Sequence, residues 1–321
     1  MNNVFSSILK DEFASFMDFI KVSIVDIKAY RSTLLSLDAF LHAEGLAEKK
    51  IDSRQIARWL DGFDVHISTK KDKLSKVKRF SGYLSTLGIM ASLPELPRNT
   101  TEFKPYVFSA DEMELIFETA DDLTLTSRNS RITAELPVLL RILYGCGLRL
   151  GEAEALAWDD IDLSSGVITV KAAKNQKQRI VPMSGELTRI LNLYKTSPCF
   201  DGRPGGFLFT KNNGQRRNKG AYWHIFNRIL CEIGIRNAQN IKYGTRGPCI
   251  HSLRHTFVLH SLLKAESEGR EFMDTVPFLS TYLGHAGLME TDKYLKARHE
   301  LYAGAHAVIA EYTHDVFPQE A

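Results

Sequence analysis

Pro94, Pro97 and Pro105, with Asn99-Thr100-Thr101 between them, constrain this chain more than any other stretch. Proline lacks the amide proton that a helix interior needs and its ring clashes with the preceding turn, so residues 93–108 read as an extended linker. Directly after it, Ser109-Ala110-Asp111-Glu112 has the pattern of a helix capping box and leads into the apolar Met113, Leu115 and Ile116. The expected organisation is a domain at 1–92, a linker at 93–108 and a second domain at 109–321. A length of 321 residues is too great for one typical domain and comfortable for two.

The first domain reads as helical. Apolar residues recur at helical spacing through Phe13, Phe16, Ile20, Ile24 and Ile27, and again through Leu34, Leu37, Phe40 and Leu41. Gly45 and Gly62 fall where helices would end, and Asp52 or Ser53 suits a helix start. Within this module the run from Lys70 to Phe80 puts Leu74, Val77 and Phe80 on a buried stripe. Lys70, Lys71, Lys73, Lys76, Lys78 and Arg79 take the other faces, opposed only by Asp72. A merely solvated face mixes signs more evenly, so these cations are candidates for following a phosphate backbone.

The second domain opens with helical patterning. A helix through residues 136–143 runs into Tyr144-Gly145-Cys146-Gly147-Leu148-Arg149-Leu150-Gly151-Glu152. Its glycines are at the wrong spacing for a dinucleotide or Walker loop; they indicate tight backbone that sets Arg149 at a helix start. Taken alone, Arg149 reads as a surface arginine beside Glu152. Two strand-like runs follow, Gly166–Val170 and Arg179–Met183, flanking a polar tip that carries Lys174 and Lys177. Asp159, Asp160 and Asp162 lack the glycine of a calcium loop and read as turn and cap residues. Residues 185–240 read as largely helical around a basic loop with Arg216 and Arg217, which contacts DNA only if the domain binds DNA. Residues 301–312 are again apolar at helical spacing.

Composition narrows the classes. No apolar run approaches the ~20 residues of a membrane span, and the first residues lack a signal-peptide pattern, which leaves a cytoplasmic expectation. Cys146, Cys199, Cys231 and Cys249 are widely spaced with no C-x-x-C, which argues against a zinc site and a disulfide framework. A net charge of +3 permits nucleic-acid binding without demanding it.

The chemistry concentrates between His251 and Tyr294. In His251-Ser252-Leu253-Arg254-His255, residues three and four apart share a helix face, so two imidazoles stand beside a fixed cation. The i, i+4 histidines resemble zinc ligands, but the glutamate base is missing and Arg254 would place a positive charge against the metal. With Arg149, Lys174, His285 and Tyr294 the set is strongly cationic and contains no carboxylate pair, which excludes glycosidase logic. Phosphoryl transfer matches it. Guanidinium forks stabilise non-bridging oxygens without a metal, a lysine can protonate a leaving alkoxide, and a tyrosine hydroxyl can be the nucleophile.

In that order and spacing the chain resembles the tyrosine recombinases, the phage integrase family. Their arginine, hairpin lysine, His-x-x-Arg pair, second histidine and tyrosine fall on Arg149, Lys174 (Lys177 in a shifted register), His251 with Arg254, His285 in Leu283-Gly284-His285, and Tyr294. The resemblance covers residues 109 to about 300. It implies a mainly α fold with a small antiparallel β-sheet: an N-terminal helical (SAM-like) core-binding domain and an α+β catalytic domain. Also implied are attack by Tyr294 on a scissile phosphate with no metal and no cofactor, two domains clamping duplex DNA at specific recombination sites, a homo-tetramer on DNA, and accessory DNA-bending proteins as further partners. Lys70, Lys71, Lys73, Lys76, Lys78, Arg79, Lys177, Arg216 and Arg217 are then the expected DNA-binding residues, and the tail at 301–321 the expected subunit contact. The segment Met289–Lys293 before the tyrosine is more charged than is usual in the family. A type IB-like topoisomerase and a catalytically silent DNA-binding regulator are the competing readings. Relaxation of supercoils without a defined site marks the first, and DNA binding without cleavage the second.

Overall fold

The computed structural model describes residues 4–21, 27–97, 105–123, 130–171, 178–197, 199–200, 202–203, 205–217, 219–237 and 247–284. The fold is mainly helical with one small antiparallel sheet. The chain divides into two compact units, Met1–Phe103 and Lys104–Ala321.

In the first unit, α1 (Lys10–Ile20), α2 (Ile27–Ala43), α3 (Ser53–Asp61) and α4 (Ile67–Thr86) close around one core. Stripes read from the sequence face inward, through Phe13 and Phe16 from α1, Leu34, Leu37 and Leu41 from α2, and Val77 and Phe80 from α4; Ile56 and Trp59 from α3 join them. Phe13 and Phe80 stack with ring centroids 4.2 Å apart, an arrangement that stabilises beyond simple burial. Asp52 is the N-cap of α3, accepting from the Gln55 amide at 2.9 Å. The buried Asp38 carboxylate accepts from the Ser6 and Ser7 amides at 2.6 and 3.1 Å and so seats the chain ahead of α1.

The second unit is built on α6 (Ser130–Gly145), which packs against α5 (Ala110–Asp121), α8 (Gly185–Lys195), α9 (Lys219–Glu232) and α10 (Ile250–Ser267). The Ser109–Glu112 capping box forms as its sequence pattern requires. A short α7 (Leu150–Ala153) follows the glycine turn. Strands β1 (Ile161–Asp162), β2 (Val167–Val170) and β3 (Arg179–Pro182) make a three-stranded antiparallel sheet, with Val170 opposite Arg179 at the loop end of the β2–β3 hairpin. Asp162 is spent locally on Ser164 and Ser165, as turn residues are, while Asp160 accepts from the Ala157 amide and also pairs with Lys171.

Helix α10 is apolar on nearly every side (Leu253, Phe257, Val258 and Leu262 are all buried), and α11 (Phe272–Leu283) packs against it. Its buried polar groups fasten the start of the unit. Thr256 Oγ1 accepts from the Phe108 amide at 3.0 Å, and His260 hydrogen-bonds both the Phe108 backbone and, at 2.9 Å, the Tyr144 hydroxyl. No helix among the described residues is long and apolar enough to cross a membrane. The apolar run at 301–312 lies outside the described residues.

Candidate active site

Two glycines decide where the charged side chains go. Gly147 has φ +59°, and a β-carbon there would lie 2.4 Å from the Phe257 ring. Only glycine allows that backbone to press onto α10. The contact brings the Gly147 carbonyl to 2.6 Å from Arg254 Nη1. Gly284, at φ +64°, ends α11 in the left-handed region, and the carbonyl before it, on Leu283, accepts from Arg254 Nη2 at 3.0 Å. Arg254 is thereby buried, its side chain only 3% exposed, with its fork aligned by two backbone carbonyls.

Glu152 compensates the charge. Its carboxylate accepts from the Arg149 amide at 2.9 Å and from Arg149 Nη1 at 3.2 Å, and lies 3.9 Å from Arg254 Nη1. It also accepts both arms of the Arg179 fork, at 3.1 and 2.8 Å. Burial opposes ionisation of Glu152, yet the Arg179 hydrogen bonds, the Arg149 amide and the charges of Arg179 and Arg254 outweigh it and hold its pKa below the ordinary carboxylate value. Arg149 is the N-cap residue of α7, with a side chain 39% exposed. One carboxylate among three guanidinium groups leaves the cluster with surplus positive charge.

His251 stands on the first turn of α10, one turn before Arg254, and its ring meets that of His255 edge-on with centroids 4.7 Å apart. His251 keeps an exposed surface, but protein atoms crowd it on one side. That loss of hydration, then the charges of Arg254 and Arg149, lowers its pKa below the ordinary imidazole value. His251 is therefore predominantly neutral at pH 7 and able to accept a proton. His251 lies one turn from Arg254 on α10, and Arg254 and Arg149 meet on the Glu152 carboxylate. Two guanidinium groups of unequal exposure beside a neutral imidazole suit an anion with a transferable proton nearby.

A model of the phage integrase family matches residues 107–300. The chain belongs to that family. It is an enzyme of the tyrosine recombinase class. It is 29% identical to the tyrosine recombinase XerC of Pelobacter propionicus over 297 residues, 87% of this chain and 88% of that one. The fold is similar to that of the Tn1549 transposon integrase solved in complex with a circular intermediate DNA (TM-score 0.66, 17% identity, 93% of this chain and 100% of that one). It is also similar to that of lambda integrase solved as a tetramer on a Holliday junction (TM-score 0.61, 16% identity, 88% and 78%).

Of the six catalytic positions expected from the sequence, Arg149, His251 and Arg254 come together as described. Lys174, His285 and Tyr294 lie outside the described residues, as does Lys177. The described residues on either side of residues 172–177 each hold an ion pair. Lys171, after β2, pairs with the buried Asp160, and Arg179, opening β3, pairs with Glu152.

The basic residues expected to face DNA divide into two groups. Lys71 is half-buried, and Lys78 and Arg79 are exposed, Arg79 lying over the Tyr30 ring at 5.9 Å. Lys70 pairs with Asp61 at 3.6 Å, and Lys73 sits 4.2 Å from the centre of the Phe63 ring. Lys76 is buried against Asp72. Arg217 points inward: its Nε donates to the fully buried Glu135 at 2.7 Å and its Nη2 to the Thr210 carbonyl at 2.6 Å. Arg216 reaches the Gly151 carbonyl at 3.0 Å and Glu154 at 3.4 Å. Lys76 and Arg217 thus each have a carboxylate partner within the fold, the exposed Asp72 for Lys76 and the fully buried Glu135 for Arg217.

By sequence alone Arg179 is the first residue of a strand and Glu152 a surface partner of Arg149. In the sequence Ile180 and Val181 are both apolar and do not show which face of the strand is inward; the structure does. Ile180 is 67% exposed and Val181 is buried, so strand alternation turns Arg179 to the inner face. An inward arginine needs a carboxylate, and Glu152 is the one it finds.

Proposed function

We propose that this chain is a site-specific DNA recombinase that cuts and rejoins duplex DNA through a 3′-phosphotyrosyl intermediate at Tyr294, serving integration and excision of a mobile element. The observation that supports it most is the pairing of Arg149 and Arg254 on one carboxylate, with His251 one turn before Arg254 on α10. In the reaction, the Tyr294 oxygen attacks the scissile phosphorus and the bond to the 5′ oxygen breaks. Arg149 and Arg254 hold the non-bridging oxygens, where charge gathers, and His285 adds a hydrogen bond. His251 assists removal of the tyrosine proton, and Lys174 delivers a proton to the departing 5′ oxygen. Bond energy is retained in the phosphotyrosine, so the 5′ hydroxyl of a partner strand can reverse the step without nucleotide, metal or other cofactor.

Four copies would act on two duplexes, with residues 301–321 as the contact between copies. Lys78 and Arg79 on α4 are the exposed cations of their run, and with the half-buried Lys71 they supply phosphate contacts. The test is covalent trapping on nicked suicide duplexes tiled across the DNA that flanks the gene. The wild-type chain should form an adduct that survives denaturing gels, and Tyr294→Phe should form none. An adduct that persists in Tyr294→Phe would refute the assignment. Relaxation of supercoiled plasmid with no site preference would instead mark a topoisomerase.

A further inference from the structure

The site contains one guanidinium that the expected catalytic set does not use. Arg179 opens β3 and is directed inward, its side chain 15% exposed, and both arms of its fork reach Glu152 at 3.1 and 2.8 Å. Through that carboxylate it is joined to the Arg149 amide, to the Arg149 guanidinium and, at 3.9 Å, to Arg254. Arg179 also lies against the turn that ends α11. A β-carbon on Gly284 would be 3.1 Å from its Nη1, and the carbonyl just before Gly284 is held by Arg254. His285 is the next residue in the chain.

On its other side Arg179 is covalently tied to the hairpin. Val170 and Arg179 are the last pair of the β2–β3 ladder, and Lys174 belongs to the segment between them. The β2 side is secured separately by the ion pair of Lys171 with Asp160. A bidentate fork fixes direction as well as distance, which a single charge does not.

We propose that Arg179 is a positioning residue for the cleavage step, fastening the lysine hairpin to the paired arginines through Glu152. The inference rests on the recombinase reading above, in which Lys174 protonates the leaving oxygen. Arg179 itself transfers no proton and touches no reacting atom. It keeps the strand that delivers the acid in register with the guanidinium pair that holds the phosphate.

The experiment compares two leaving groups on the suicide duplex that the wild-type chain traps. One is the ordinary phosphodiester; the other carries sulfur at the bridging 5′ position. A thiolate, with a conjugate-acid pKa of about 8.5, departs without being protonated. A group that serves only the acid is therefore dispensable on the sulfur substrate. Arg179→Ala should slow single-turnover cleavage of the ordinary duplex about 100-fold, the lower range for loss of a general acid, and that of the sulfur duplex less than about 5-fold. Arg179→Lys, which keeps the charge and loses the fork, should lose about 10-fold on the ordinary duplex with the same rescue. It carries the test if the alanine variant does not fold, as judged by its thermal unfolding midpoint. Equal loss on both duplexes in folded protein would show that Arg179 serves only the phosphate cage or the fold, and would overturn the proposal. So would the absence of any loss. A wild-type chain that forms no adduct on either duplex would overturn the recombinase reading and this inference with it.

Discussion

Helices α4 and α10 both carry arginine or lysine close to apolar residues, and they use the charge in opposite ways. On α10, Arg254 is buried, with two carbonyls and a carboxylate around its fork. On α4, Lys78 and Arg79 remain at the surface beside a stripe that buries Val77 and Phe80. A buried ion has lost its water, so removing one partner leaves the others stranded in low dielectric. A surface lysine stays hydrated and screened, and its contribution to any partner is small and additive. Geometry in the first region and number in the second are what matter.

The largest effect should come from replacing the buried cation. Arg254→Ala should reduce single-turnover cleavage by at least ~10³-fold and cost about 3–5 kcal/mol in urea unfolding of the catalytic unit, because Glu152 and two carbonyls lose their partner. Arg149→Ala should match the first loss but cost less than about 1 kcal/mol of stability, since its side chain is partly solvated. Equal stability losses would erase the distinction between the inner and outer guanidinium.

Acid should separate the two units next. Burial of His260 lowers its pKa to about 4, a shift that its hydrogen bond to the Phe108 backbone only partly opposes. The unfolded chain binds a proton near pH 6.5 and the folded one does not. Stability is therefore complete above that value and is lost as pH falls toward 4, by about 3 kcal/mol from this residue. The histidines of the first unit at positions 42 and 66 are exposed. Denaturant melts between pH 7 and 4 should show the catalytic unit weakening, with a shallower slope in His260→Gln. An unchanged slope in that variant would remove His260 as the cause.

The smallest effects belong to α4. Lys71→Ala and Lys78→Ala should each weaken duplex binding only a few-fold, uniformly across sequences, and reduce the slope of log affinity against log salt by about 1. Lys76→Ala should instead act on folding, because its amine is buried against Asp72. A salt slope that falls in Lys76→Ala as far as in Lys78→Ala would remove the division of that run into braces and contacts.

Much of this was legible along the chain. The capping box at Ser109, the cap at Asp52, the hairpin between Val170 and Arg179 and the apolar stripes of α1, α2 and α4 all follow from spacing and local hydrogen bonding. The stretch from His251 to His255 was legible as a helix face for the same reason, and Arg149 as a helix start because glycines precede it. The choice of ionic partner was not legible. Arg179 meets a carboxylate 27 residues away, Arg217 one that is 82 away, and Arg254 a carbonyl 107 away. Periodicity says which face of an element is buried, and it is a property of neighbours in sequence. Which charge waits on the opposing face depends on how helices and sheet pack, and that only the tertiary structure decides.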